Sequence, residues 1–143
     1  MAERTGLFAK YRITDHVADV GLTIYGNSYE DLFAHGAYAL FSLLTDLRRV
    51  RRIEKRKFSL FSGPDALIHF LNELLFLWDT ERFIAKSTRV TKDGQGQLYA
   101  IAEGELYDPS RHFVKKEVKA VTYHEFSIKT GEHGYEARLV LDL

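Results

Sequence analysis

From Phe83 onward the chain reads as strand and turn without a helical interval, and this constrains the fold more than any other feature of the sequence. Phe83 to Thr91 and Gln97 to Tyr107 flank Asp93-Gly94-Gln95-Gly96, a run of turn formers that predicts a hairpin. Val118 to Lys129 and Tyr135 to Leu143 flank a second turn around Gly131 to Gly134. In the closing strand Ala137, Leu139, Leu141 and Leu143 alternate with Arg138, Val140 and Asp142, so one face is apolar. A half-apolar antiparallel sheet of this kind needs a cover, and the first half of the chain supplies one.

The cover is two amphipathic helices. Ser28 followed by Asp31 resembles a capping box, and behind it Leu32, Phe33, Gly36, Ala37, Leu40, Phe41 and Leu44 form one helical face. Gly36 lies on that face and costs about 1 kcal/mol relative to Ala, which close approach to a sheet would explain. Ser62-Gly63-Pro64-Asp65 predicts the second start, with Pro64 at the first helical position. Leu67, Ile68, Leu71, Leu74, Leu75 and Trp78 give its apolar face. Phe70, Phe76 and Leu77 make the other side apolar too, so burial on more than one side is expected. Strands are predicted at Val20 to Gly26 and Arg52 to Phe61, with Ala9 to Ile13 short and mixed and Thr14-Asp15-His16 a turn. The order β-α-β-α-β-β-β-β predicts an α+β two-layer sandwich: two helices packed on a mostly antiparallel sheet, in one domain over residues 1–143.

Composition narrows the chemistry. The 143 residues are 45% apolar and contain no cysteine, which excludes disulfides, Cys-based zinc sites and cysteine hydrolases and favours a cytoplasmic setting. No apolar run of about 18 residues is present and the first 20 residues carry charge throughout, so neither a membrane span nor a signal peptide is expected. The six histidines make neither His-Glu-x-x-His nor a finger spacing, and no P-loop, GxGxxG or GxSxG occurs. Acids and bases balance overall but not locally: Arg48, Arg49, Arg51, Arg52, Lys55, Arg56 and Lys57 oppose Glu54 alone, net +6 over ten residues. Such a segment either contacts RNA phosphates or keeps a sheet edge from pairing with another chain.

Two acidic places stand out. Asp15-His16-Val17-Ala18-Asp19 precedes a strand, and Asp142 interrupts the apolar end of the last one. If Asp19 and Asp142 converge, their like charges repel unless a cation intervenes. Carboxylate oxygens, supplemented by main-chain carbonyls or a Leu143 carboxylate, suit a hard ion such as Ca²⁺ or Mg²⁺.

At these residues the sequence resembles the archease family, small proteins that assist the GTP-dependent ligase of tRNA splicing. The matching pieces are Asp15 to Gly21, the helix carrying Phe33 and Leu40, Phe70-Leu71-Asn72-Glu73-Leu74-Leu75, the Gly104-Glu105 step, Val118 to His124, and Leu141-Asp142-Leu143. One departure is Val17, where the family usually has Thr. The resemblance implies metal ligation by Asp19, Asp142 and Leu143, calcium favoured over magnesium. It implies a non-enzymatic activator that promotes ligase guanylylation by GTP and repeated turnover, with tRNA met indirectly through the ligase and the basic segment touching ligase or RNA. His16, Lys119 and His124 are candidates for orienting the site or touching the partner, with Arg48, Arg49, Arg51, Arg52 and Arg56 a candidate basic contact patch. Lys119 and His124, five apart on one strand, face opposite sides unless a bulge intervenes. Glu105 and Lys119 are expected to pair across strands. Two other classes predict differently: a chaperone-like modulator of an RNA-modifying enzyme acts without metal or GTP, and a stand-alone metal-dependent hydrolase using His16, Asp19 and Asp142 turns over alone.

Overall fold

A computed structural model describes residues 10–15 and 19–143. Strand β1 (Tyr11–Asp15) pairs antiparallel with β2 (Asp19–Gly26), so Thr14 and Asp15 belong to a strand and not to the expected turn. The reason is tertiary: Tyr11 and Ile13 lie opposite Ile24 and Leu22 and pack at the edge of the core. The turn segment 16–18, with His16 and Val17, lies outside the described residues.

Helix α1 (Tyr29–Leu44) starts as its sequence specifies. The Asp31 N–H donates to Ser28 Oγ at 3.2 Å, and the Asp31 carboxylate accepts from the Asn27 N–H at 2.9 Å, an exchange worth about 1 kcal/mol. A Cβ placed on Gly36 would stand 3.2 Å from Ile24 of β2 and 3.5 Å from Leu71, so the glycine lets helix, sheet and second helix meet. A 3-10 turn (Leu47–Arg49) leads to β3 (Glu54–Ser59), shorter than predicted, with Ile53 and Leu60 at its two ends each donating one further hydrogen bond, to the Gly104 and Leu98 carbonyls. Helix α2 (Ala66–Glu81) begins two residues after Pro64, which occupies the preceding turn, while Asp65 takes the N-cap position. Strands β4 (Phe83–Lys92), β5 (Leu98–Leu106), β6 (Ala120–Gly131) and β7 (Gly134–Asp142) follow as two hairpins.

The fold is the expected α+β sandwich, with two antiparallel sheets: β1-β2-β7-β6 and β3-β5-β4. α1 packs on β2 and β4 and so touches both, and α2 packs on β6 and β4. Leu22, Ile24, Phe33, Leu40, Phe41, Phe70, Leu71, Trp78 and Phe83 are all nearly inaccessible to solvent at this junction. The expectation that α2 buries a second side holds for Phe70 and fails for Phe76, which is 64% exposed. Among the described residues no helix is long and apolar enough to cross a membrane.

Candidate metal centre

The register of β2 against β7 places Asp19 directly opposite Asp142. Directly opposed residues share a sheet face. Here it is the outer one, since the next pair along, Val20 and Leu141, is buried in the core. The Asp142 carbonyl accepts from the Lys119 N–H at 2.7 Å and is therefore turned toward β6. Val140, on the same parity, likewise accepts from Thr122 Oγ1 at 3.0 Å. Asp19 and Asp142 thus form a non-hydrogen-bonded pair, the type in which Cα atoms approach to about 4.5 Å and side chains come closest.

Two carboxylates so placed oppose each other. At about 4 Å, like unit charges cost about 1 kcal/mol in water and about 4 kcal/mol at an effective dielectric of 20. Asp142 is exposed and Asp19 and Leu143 are half-buried, so the pair lies at the wet edge of the sheet. Among the described residues no group of three His, Cys, Asp or Glu side chains converges. The oxygens at this strand end are those of the two carboxylates, of the main chain and of Leu143. All are hard oxygens, as Ca²⁺ and Mg²⁺ require.

The strand that holds Asp142 is itself held from outside the sheet. β6 is an edge strand, and opposite Val121 its free side is closed by Asn72 of α2. Asn72 Nδ2 donates to the Val121 carbonyl and Asn72 Oδ1 accepts the Val121 N–H, both at 2.9 Å. The carboxamide thus reproduces a strand partner. Val121 lies opposite Leu141, next to Ala120 opposite Asp142, so α2 fixes the segment against which the end of β7 rests. Sequence reading misses Asn72 as a site residue, although it lies in the Phe70 to Leu75 segment that carries the family resemblance.

Lys119 meets the Asp19–Asp142 pair through its backbone, its N–H donating to the Asp142 carbonyl, while the described contacts of His124 lie elsewhere. Lys119 precedes β6 and is exposed; His124 is exposed and 3.5 Å from Glu125. The bulge on which a shared pocket depended does exist: the register jumps between Thr122 and Ser127, and Glu125 has φ +56°. It arches over the outer face of the sheet. There a recess of about 440 Å³ is lined by residues that include Arg12, Thr23, Glu125, Ser127, Arg138 and Val140. A cavity of about 680 Å³ lies at the far end of the same sheet, around Tyr25, His35, His133 and Tyr135.

Glu105 does not pair with Lys119. It is buried, 3% exposed, and Arg51, Arg111 and His112 surround it. Oε2 accepts the Arg51 N–H at 2.8 Å, Oε1 accepts from Arg51 Nε at 3.1 Å and from Arg111 Nη1 at 2.9 Å, and His112 Nε2 lies 2.9 Å from Oε2. The Asp108 N–H donates to His112 Nδ1 at 2.9 Å, so Nε2 carries the hydrogen and donates to Glu105. Burial pushes the Glu105 carboxyl up, but the donors from Arg111, Arg51 and His112 together outweigh it and hold the group at about 2. The step before it is equally constrained: a Cβ on Gly104 would sit 1.7 Å from the Ile84 carbonyl oxygen.

This network absorbs much of the basic run. Arg51 is committed to Glu105, Arg48 pairs with Asp46 at 2.9 Å, Arg49 donates to the Arg111 carbonyl at 3.0 Å, and Arg56 reaches Glu54 and Glu81 at 3.1 and 3.2 Å. β3 is an edge strand of its sheet, where charge discourages pairing with another chain. Arg52 is exposed.

The model of the archease protein family matches residues 11–143. The chain belongs to the archease family. The archease of Archaeoglobus fulgidus is 36% identical over 140 residues, covering 94% of this chain and 99% of its own. The solution structure of protein 1598 of Methanobacterium thermoautotrophicum is 32% identical with a TM-score of 0.77, over 94% of this chain and 99% of its own. The crystal structure of an archease, possible chaperone, from Thermotoga maritima shares the fold with a TM-score of 0.64 at 19% identity, over 91% and 94% of the two chains. The archease match takes in both β2 and β7, and hence both aspartates.

Proposed function

We propose that this archease is a non-enzymatic, metal-binding activator of a GTP-dependent RNA ligase in tRNA splicing. The observation that carries the reading is the Asp19–Asp142 pair, two like charges opposed at a strand end beside Leu143. Asp19, Asp142 and an oxygen of Leu143 hold a divalent cation, calcium in preference to magnesium. A bound divalent ion would supply positive charge where phosphates crowd, which is what nucleotidyl transfer from GTP needs. The chain's own part is to hold the two carboxylates at fixed separation. β2 and β7 do this through continuous pairing from Asp19–Asp142 to Gly26–Tyr135, and Asn72 secures the neighbouring edge. His16, three residues before Asp19, and Lys119, whose N–H donates to the Asp142 carbonyl, orient the cation site or the partner, and tRNA is met through the ligase.

A defined guanylylation assay tests the reading. Stimulation of the ligase by substoichiometric protein, lost on chelation and lost in Asp19→Ala, supports it. Stimulation that persists with chelator and in Asp19→Ala overturns the metal mechanism and favours a chaperone-like modulator, in line with the Thermotoga archease's description as a possible chaperone. Hydrolytic turnover by the purified protein alone overturns the non-enzymatic assignment.

A further inference from the structure

Away from the core, α2 presents a surface of one charge sign and three exposed aromatic rings. Its sixteen residues contain no Lys or Arg, and the acids Glu73, Asp79 and Glu81 face outward. His69, Glu73, Phe76 and Thr80 recur at i, i+4, i+7 and i+11 and form one stripe. Phe76 is 64% exposed on that stripe. At its start, Phe61, 53% exposed, stacks on the His69 ring with centroids 4.5 Å apart. Tyr123 from the β6 bulge is 56% exposed, its hydroxyl 3.4 Å from Asp65 and 3.5 Å from His69. Single exposed rings are ordinary, whereas three along one helix face mark a surface that another molecule covers.

We propose that this α2 face docks onto a basic, partly apolar protein surface. Glu73, Asp79 and Asp65 repel phosphates, which disfavours RNA and an anionic membrane alike. A second copy of this chain is disfavoured because much of its basic segment is committed internally, Arg48 to Asp46, Arg51 to Glu105 and Arg56 to Glu54 and Glu81. What fits is a different protein with its own basic surface, and an enzyme that acts on RNA carries one. Aromatic anchors ringed by complementary charge are the usual composition of such contacts. Naming the ligase as that partner rests on the reading above; the docking face itself is separate from the carboxylate pair. The two are linked through β6, since Tyr123 is three residues from Ala120, which lies opposite Asp142.

The test is the affinity of the full chain for the purified GTP-dependent RNA ligase from the same source, by calorimetry at two salt concentrations. Phe76→Ala and Glu73→Lys alter exposed side chains only, so circular dichroism and melting temperature stay as in the parent. Each variant is expected to bind at least ten-fold more weakly, with calcium affinity unchanged, and Glu73→Lys to flatten the salt dependence. If the parent binds and both variants bind equally tightly, the docking face is wrong while the ligase reading stands. If the parent does not bind the ligase, the ligase reading fails and takes the proposed partner with it. Self-association of the parent, or RNA binding by it, that Phe76→Ala abolishes would assign the face to another occupant and overturn the proposal.

Discussion

Asn72 and Val121 are joined by two hydrogen bonds of 2.9 Å that run in opposite senses between a side-chain amide and a main-chain amide. A helix residue so occupies the place of a missing strand, and it does so one register step from Asp142. Replacing Asn72 by Leu leaves the Val121 N–H and carbonyl without partners at a cost of about 1–3 kcal/mol. The expected result in chemical denaturation is a lower midpoint with an unchanged slope. Calcium affinity, followed by calorimetry, falls although Asn72 touches no ligand. An unchanged calcium isotherm in a destabilised but folded variant would separate the clamp from the site.

Opposed carboxylates make a second prediction, of opposite sign in the two states of the protein. Asp19→Asn removes one of two facing negative charges, so without calcium the variant is as stable as the parent or more so. Calcium raises the parent's melting temperature by mass action and leaves the variant's unmoved. Scanning fluorimetry with and without millimolar calcium reads both arms, and a calcium-dependent shift retained in Asp19→Asn would remove Asp19 from the ligand set.

Glu105 gives a pH signature. Its folded-state value, about 2, lies below the ordinary 4.5, so the ionised carboxylate contributes stability. That contribution is complete above about 4.5 and is lost as pH falls from there through 2. Glu105→Gln leaves Arg51 and Arg111 facing a neutral group in a buried place and is expected to cost about 3–5 kcal/mol at neutral pH. The parent's stability should fall on acidification through this window more steeply than the variant's. Parallel curves would show that the network does not depend on the charge.

Gly104 tolerates no side chain. A methyl there would require β4 and β5 to separate at Ile84, whose carbonyl oxygen occupies the space. Gly104→Ala is expected to lower the melting temperature by more than 10 °C or to yield insoluble protein. A variant melting within a few degrees of the parent would mean that the bulge between Ala85 and Ser87 can absorb the displacement.

Both helices and the two C-terminal hairpins are legible in the sequence, because capping side chains, apolar periodicity and turn glycines act within a few residues. Ser28 with Asp31 and the alternation from Ala137 to Leu141 are of this kind. Pro64 misleads by two residues, since the signal marks a turn as readily as a first helical residue. The split into two sheets, the β6 bulge and the surroundings of Glu105 are not legible: Arg51 reaches Glu105 across 54 positions, and no local pattern encodes that distance. The Asp19–Asp142 convergence falls between these cases. Spacing makes it one pairing among many, family resemblance singles it out, and the register of β2 on β7 brings the residues together. Phe76 was read as buried because an apolar residue on a helix says nothing about which neighbour, if any, covers it.

The place of β7 between β2 and β6 has a consequence for synthesis. Residues 134–142 leave the ribosome after every other strand of their sheet, yet they lie inside it. The other sheet has all its strands once residue 106 has emerged. Until β7 emerges, β2 waits with only β1 beside it, offering an unpaired apolar edge to any chaperone or neighbouring chain. Truncations within β7 should for that reason aggregate rather than merely lose affinity.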